Sequence, residues 1–481
     1  MTGETAHPLW TGLELIAPLQ ARTLGPMPRL VNGVSIDTRT LRIDDLFFAI
    51  RGEFQDGHAF VQTAFECGAA AAVVDEAHAD ALKGSGPLYV VHDVLAAMER
   101  LGQAARKRMT GMVVAVTGSV GKTSTKEAMR GVFSAFGHTH ASVASYNNHW
   151  GVPLTLARMP IDTTFGVFEI GMNHANEIRP LTQMVRPQVA VITAVAPVHL
   201  ENLGTIEAIA DAKAEIFEGL EAGGVAIMPR DTPLYRRLDA SARQSRAGAF
   251  LTFGESEGAD ARLLTFESGA DGSVVTADIM GQRLRYRLGA PGRHLASNSL
   301  ALLLAARAVG LDVAEAAREL VHVTAPSGRG EQVRLQFGDG EAVLIDESYN
   351  ANPVSMRAAL ALLAEAPLPG AAGRRIAMLG DMLELGPEEM RLHEELASVI
   401  AELPIDVVHT IGPRMARLYD VLPAEKRGLQ GASAAEIVDR LSAQVAAGDV
   451  VMIKGSNGAR MGSVVSVIKQ RYAQPKIDIE G

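Results

Sequence analysis

The apolar run Val113–Thr117 passes directly into Gly118-Ser119-Val120-Gly121-Lys122-Thr123-Ser124 and then into a helix-forming stretch. Few local patterns constrain a chain more. A strand, a glycine loop and a helix start in that order turn backbone N–H groups inward onto an anion. They also let a lysine reach the outer phosphates and offer a hydroxyl to Mg²⁺. The pattern predicts a nucleoside triphosphate site, with residues Gly118, Ser119, Val120, Gly121, Lys122, Thr123 and Ser124 around the phosphates. The first glycine of the general Gly-x-x-x-x-Gly-Lys-[Ser/Thr] form would fall at position 116, which is Val116.

At 481 residues the chain is too long for one hydrophobic core, and about three domains are expected. A net charge of −10 without any basic block argues against nucleic acid or an anionic membrane as partner. Cys67 is the single cysteine, which excludes an intrachain disulfide and suits a reducing compartment. No run of about 18 apolar residues occurs, so no membrane insertion is expected. The expectation is a cytoplasmic monomer.

Short strands at Leu46–Ile50 and Ala70–Val74 with a helix over Val94–Lys107 predict a small α/β domain over residues 1–110. From 111 to 325, Met112–Thr117, Thr164–Ile170, Val189–Thr193 and Val225–Met228 read as buried strands between helical stretches. That alternation predicts a parallel sheet with ligands beyond the carboxyl ends of its strands. Phe250–Leu288 alternates like antiparallel strands, and Asn298–Val309 and Val313–Val321 read as helices. After a boundary at Pro326-Ser327-Gly328, Ala342–Ile345, Arg375–Leu379, Val407–Ile411 and Val450–Ile453 predict a second doubly wound, Rossmann-like α/β domain over 326–481.

Glu169 ends a buried strand beside the phosphate loop, where Mg²⁺ favours a hard oxygen ligand. His199 follows the next buried strand and offers a second ligand on the same edge. Lys213 has no lone pair for a metal when protonated, and by pattern it is a charge on a solvated helix.

The form Thr117-Gly118-x-x-Gly121-Lys122-Thr123 resembles the loop of the Mur ligase superfamily, the ATP-dependent amide ligases of peptidoglycan stem peptides. Ala212-Lys213-Ala214-Glu215-Ile216-Phe217 resembles the family segment whose lysine becomes a carbamate. The resemblance therefore implies two Mg²⁺ ions held by Thr123, Glu169, His199 and carbamylated Lys213. Ser35-Ile36-Asp37-Thr38-Arg39, the stretch ending in Gly52, and Asp56-Gly57-His58 resemble the uridine-nucleotide-binding domain. Ser35, Asp37, Thr38, Arg39, Gly52 and His58 are the substrate residues implied there. The family usually has Ser where Thr38 stands.

Asn147 and Asn148, before Gly151-Val152-Pro153-Leu154-Thr155, resemble the muramyl-substrate loop. Asp346-Glu347-Ser348-Tyr349-Asn350-Ala351-Asn352-Pro353 resembles the MurF-type signature, whereas the MurE type would carry Asp-Asn-Pro-Arg, a tetrapeptide absent from this chain. By the same resemblance Asn298 is the adenine-side residue and Arg329 the arginine that the third domain brings to ATP. Tyr349 accompanies the nucleotide, and either Asp346 or Glu347 meets the ribose. Asn350, Asn352, Lys454 and Ser456 lie near the incoming amine, although Lys454-Gly455-Ser456-Asn457-Gly458 is equally an ordinary turn.

The implied substrates are ATP, a UDP-N-acetylmuramoyl tripeptide and D-alanyl-D-alanine. Lys122, Glu169, His199, Lys213 and Arg329 would be catalytic. The alternatives are a MurE-type ligase and, from another class, a nucleotide-regulated binding protein.

Overall fold

The computed structural model describes residues 8–52, 55–143, 145–198, 200–269, 272–338 and 340–472. Three sheets follow one another along the chain. The first has the strand order Arg22–Leu24, Leu88–Val91, Ala71–Asp75, Asp45–Phe48, Gly33–Ser35, parallel except for its first member. Helix Val94–Arg108 closes this unit. Asp93 caps it by accepting from the Ala96 N–H, and Val94, Ala97, Met98, Leu101 and Ala105 form its buried stripe at helical spacing.

That helix packs on helix Gly151–Ala157 of the next unit, and the approach is close. A Cβ on Gly102 would lie 3.0 Å from the Pro153 carbonyl. Further bonds fasten the same seam. Trp10 Nε1 donates to Ala157 O at 3.2 Å, Arg158 Nε to Val34 O at 2.6 Å, and Arg106 to the carbonyls of Val185 and Arg186 at the end of helix Ile178–Val185.

The central sheet has nine strands, in the order Gln282–Leu288, Gly272–Ile279, Ala261–Gly269, Ala249–Gly254, Val225–Pro229, Val189–Ile192, Met112–Thr117, Phe165–Glu169, Thr139–Ala141. Alternate residues of Met112–Thr117 enter different cores. Val114 and Val116 pack with Leu300 and Leu303, while Val113 and Ala115 pack with Ile178 and Ile209. Burial on both faces explains why this strand reads as a continuous apolar run.

Phe250–Leu288 departs from the expectation. Ala249–Gly254 pairs parallel with Val225–Pro229 and extends the parallel sheet, so the antiparallel part begins only at Ala261–Gly269. The helix expected from Asn298 starts earlier, at Arg293, and the one expected to reach Val321 ends at Glu319 before a 3₁₀ turn.

The third sheet runs Glu331–Phe337, Gly340–Glu347, Val450–Lys454, Arg375–Gly380, Val407–Ile411, Arg427–Gly431, parallel but for its first strand. Between the second and third sheets the chain passes Gly328 (φ +75°) and Gly330 (φ +98°), a left-handed pair that favours glycine. Among the described residues no helix is long and apolar enough to cross a membrane.

Candidate functional site

Three central strands end level with one another, since Val116 pairs with Glu169 and Thr117 with Ile192. The phosphate loop leaves this rim. Gly118 (φ +153°) passes so close to Thr193 that a Cβ would meet its Oγ1 at 2.0 Å, and Gly121 (φ +83°) begins helix Lys122–Ser134. Thr193 Oγ1 donates to the Val120 carbonyl at 2.6 Å and so braces the loop from below. Lys122 Nζ donates to Gly118 O at 2.7 Å, which lays the ammonium over the loop.

Thr123 and Glu169 are both buried, and Thr123 Oγ1 donates to Glu169 Oε2 at 2.8 Å. The other carboxylate oxygen accepts from Asn147 Nδ2 at 2.7 Å. Lys213 comes to this rim from helix Ile206–Ala214. It is 2 % exposed, and burial first, then the nearby Lys122 charge, push its pKa well below the usual lysine value. Burial also lowers the Lys122 pKa, with Glu169 opposing and Arg329 adding to the effect. His199 lies outside the described residues.

Arg329 reaches the rim from the third unit. Its Nη2 donates to Ser145 Oγ at 3.1 Å, and its guanidinium carbon sits 3.9 Å from the centre of the Tyr349 ring. The connection that carries it is tied down by buried Asp346. That side chain accepts from the N–H of Gly328 and from the N–H and Oγ of Ser348. Glu347 instead faces the buried Lys454 ammonium at 3.1 Å.

Asn298 abuts the loop from helix Arg293–Ala308, 2.6 Å from where a Gly121 Cβ would stand. Beside it a small apolar cleft of about 40 Å³ lies between Leu288, Leu295, Leu320, Val323 and Pro326.

Several expected ligand residues spend their polar atoms inside the protein. Ser119 donates its N–H to Ala194 O, and its Oγ both donates to Ala196 O and accepts from the Ala196 N–H. It braces the loop against the neighbouring strand end, with both its N–H and its hydroxyl engaged there. Asn148 Oδ1 accepts from the N–H groups of Trp150 and Gly151 where helix Gly151–Ala157 begins, and Asn352 caps helix Pro353–Glu365 in a reciprocal box with Ser355. The Asn350 side chain accepts from Ala351 N. Lys454 donates to Asn350 O, and Ser456 Oγ donates to Ala351 O and accepts from Leu383 N. Together they fix the 350–352 turn.

In the first unit Ser35 donates to Asp37 O, and Asp37 pairs with the exposed Arg39 at 2.6 Å; Thr38 lies between them. Gly52 closes a turn onto Gln55 O, where a Cβ would lie 3.3 Å from the Trp150 ring. His58 is buried, stacked on His78 at 4.0 Å, with Nδ1 on Asp56 and Nε2 accepting from Asp75 N. Both its nitrogens are occupied, so it shapes the domain rather than presenting a ring edge. Sequence reasoning missed Ser145 and Thr193, because their partners lie 184 and 73 residues away in the chain.

Comparison with known proteins accords with this layout. Residues 30–109 match the family model described as Mur ligase family, catalytic domain. Residues 116–306 match the Mur ligase middle domain, and 328–457 the Mur ligase glutamate ligase domain. The chain is 33% identical to the UDP-N-acetylmuramoyl-tripeptide--D-alanyl-D-alanine ligase of Bacillus subtilis, over 91% of this chain and 93% of that one. It is 31% identical to the Escherichia coli protein of the same name, over 92% and 94%. Among solved structures, MurF from Acinetobacter baumannii superposes with a TM-score of 0.83 at 27% identity, covering 96% of this chain and 99% of that one. A MurF ligase from Thermotoga maritima in complex with ADP gives 0.77 at 25% identity, covering 92% and 97%.

Proposed function

Since the chain belongs to the Mur ligase family, we infer that it is an ATP-dependent ligase joining D-alanyl-D-alanine to a UDP-N-acetylmuramoyl tripeptide in peptidoglycan precursor synthesis. A carboxylate is a poor electrophile toward an amine, and ATP supplies the activation. The tripeptide carboxylate attacks the γ-phosphoryl group and ADP leaves. The dipeptide amine then attacks the resulting acyl phosphate, forming the amide and expelling phosphate. Catalysis of such a sequence is mostly positioning and neutralisation of charge.

The observation that carries this reading is the gathering of Lys122, Thr123, Glu169 and Lys213 along one rim, with Arg329 arriving from the third unit. Helix Lys122–Ser134 directs its N-terminal N–H groups and Lys122 at the phosphates. Arg329 answers charge on the transferring group, and Asn298, against Gly121 of the loop, stands on the adenine side.

The hard oxygens of Thr123 and Glu169, held 2.8 Å apart, suit Mg²⁺. We assign them to the nucleotide's metal, and Glu169, His199 and carbamylated Lys213 to a second ion. Bound there, magnesium would neutralise phosphate charge and orient the attacking carboxylate. Lys213 supports the carbamate assignment directly. Only an unprotonated amine adds CO₂, releasing a proton as the N–C bond forms, and burial disfavours the ammonium. No described residue offers Lys213 a hydrogen bond or ion pair.

We further propose that the enzyme works in the cytoplasm as a monomer, which sedimentation at assay concentration checks. The function itself is tested by phosphate release across a panel of UDP-muramyl peptides and amine acceptors. Release that needs both the tripeptide and D-alanyl-D-alanine is the expected result. Release with a dipeptide precursor plus a single amino acid would overturn it in favour of the third-residue ligase.

A further inference from the structure

One charged side chain near the rim is not used by this chemistry. Lys126 lies one turn beyond Lys122 on the same helix and has no solvent exposure. Its Nζ donates to the Ser142 carbonyl at 2.7 Å and to the Glu127 carboxylate, which also accepts from Arg130 Nε at 2.7 Å. Burying an ammonium is costly unless it is fully paired, and a methionine would fill the same volume without that cost. The charge therefore calls for an explanation beyond packing.

The partner carbonyl supplies one. Three residues after Ser142 comes Ser145, whose Oγ receives Arg329 at 3.1 Å. Two residues further on, Asn147 donates to the Glu169 carboxylate, and its carbonyl accepts from Gly171 N at 2.8 Å. The stretch that meets Arg329 and steadies Glu169 is thus tied, through Ser142, to the helix that carries the phosphate loop.

We propose that Lys126 is a positioning residue: it fixes the landing point of Arg329 at Ser145 relative to the bound triphosphate by anchoring Ser142 to the phosphate-loop helix. It touches no phosphate itself. Through it, the loop that holds the nucleotide and the arginine that arrives from the third unit share one reference frame. The proposal rests on the ligase reading for its substrates but not for its geometry.

The test is a double-mutant cycle on the full-length enzyme, combining Lys126→Met with Arg329→Ala and monitoring phosphate release and unfolding midpoint. Lys126→Met is expected to lower kcat by about tenfold, as displaced transition-state contacts do, while the KM for ATP stays within about threefold. In the Arg329→Ala background the same change should cost less than about twofold, because the group it positions is gone. Losses that simply multiply would overturn the proposal and leave Lys126 a packing residue. Should Lys126→Met fail to fold, Lys126→Arg decides in the same cycle, since it keeps the charge but displaces the contact with Ser142. Wild-type turnover on tripeptide plus D-alanyl-D-alanine reports separately on the ligase reading. If that turnover is missing, the cycle is read on ATP-induced compaction in small-angle scattering, where additive effects again sink the proposal.

Discussion

Lys213 is buried within electrostatic reach of Lys122, and no described carboxylate answers its charge. Two lysines converging on one rim disfavour a second ammonium, which is the setting that the proposed carbamate needs. Lys213→Ala should lower phosphate release by about 10²-fold or more, on the scale of a lost transition-state contact. Formate or another small carboxylic acid should restore part of it. Chelating Mg²⁺ should abolish release in both proteins. Full activity in Lys213→Ala would remove the carbamate from the mechanism.

Ser119 offers a contrast between a brace and a ligand. Ser119→Ala leaves the buried Ala196 N–H without its acceptor, at a cost of about 1–3 kcal/mol. The expected readout is a lower unfolding midpoint by denaturant titration with little change in kcat. A normal midpoint with a large fall in ATP affinity would return Ser119 to the phosphates.

At the connection into the third unit, Gly328 has φ +75° and lies against Tyr349, with a Cβ there 3.0 Å from the tyrosine Cβ. Gly328→Ala should strain the turn by about 1–2 kcal/mol and shift the ring on which Arg329 rests. We expect kcat to fall while UDP-muramyl peptide binding, measured calorimetrically, is retained. Unaltered turnover would mean that Arg329 needs no support from Tyr349.

Acid sensitivity should arise in part from His409. It is 1 % exposed, accepts from Leu429 N through Nδ1, and burial first, then Arg374, lowers its pKa to about 4. A histidine depressed below its unfolded value adds stability that is complete above about pH 6.5 and is lost as pH falls toward 4. At about 1.4 kcal/mol per unit, the loss across that window is on the order of 2–3 kcal/mol. His409→Asn should therefore flatten the pH dependence of urea unfolding between pH 7 and 4.5. Equal slopes for the two proteins would assign the sensitivity elsewhere.

The parts of the fold written in short-range pattern were legible from the chain. Met112–Thr117 is apolar because both its faces are covered, and the glycine loop follows it directly, so strand, loop and helix could be read in one pass. Ala249–Gly254 was not legible as a parallel strand, because its partner choice depends on distant Val225–Pro229 rather than on its own alternation. The same limit divides the site residues. Lys122, Thr123 and Glu169 follow from position at a strand end. Ser145 and Thr193 matter only through long-range partners, while Asn148 accepts from backbone N–H groups at a helix start and Asn352 is the helix cap that its residue type favours anyway.

The seam where Gly102 lets helix Val94–Arg108 settle on Gly151–Ala157 joins the first two units by packing and hydrogen bonds, while the third is reached through Gly328 and Gly330 and meets the rim at Ser145. On the proposed function, a nucleotide sugar held by the first unit would stand at a set distance from the phosphate rim of the second. Each added amino acid lengthens an extended precursor by about 3.5 Å, so stem length would bear on which terminal acid reaches that rim.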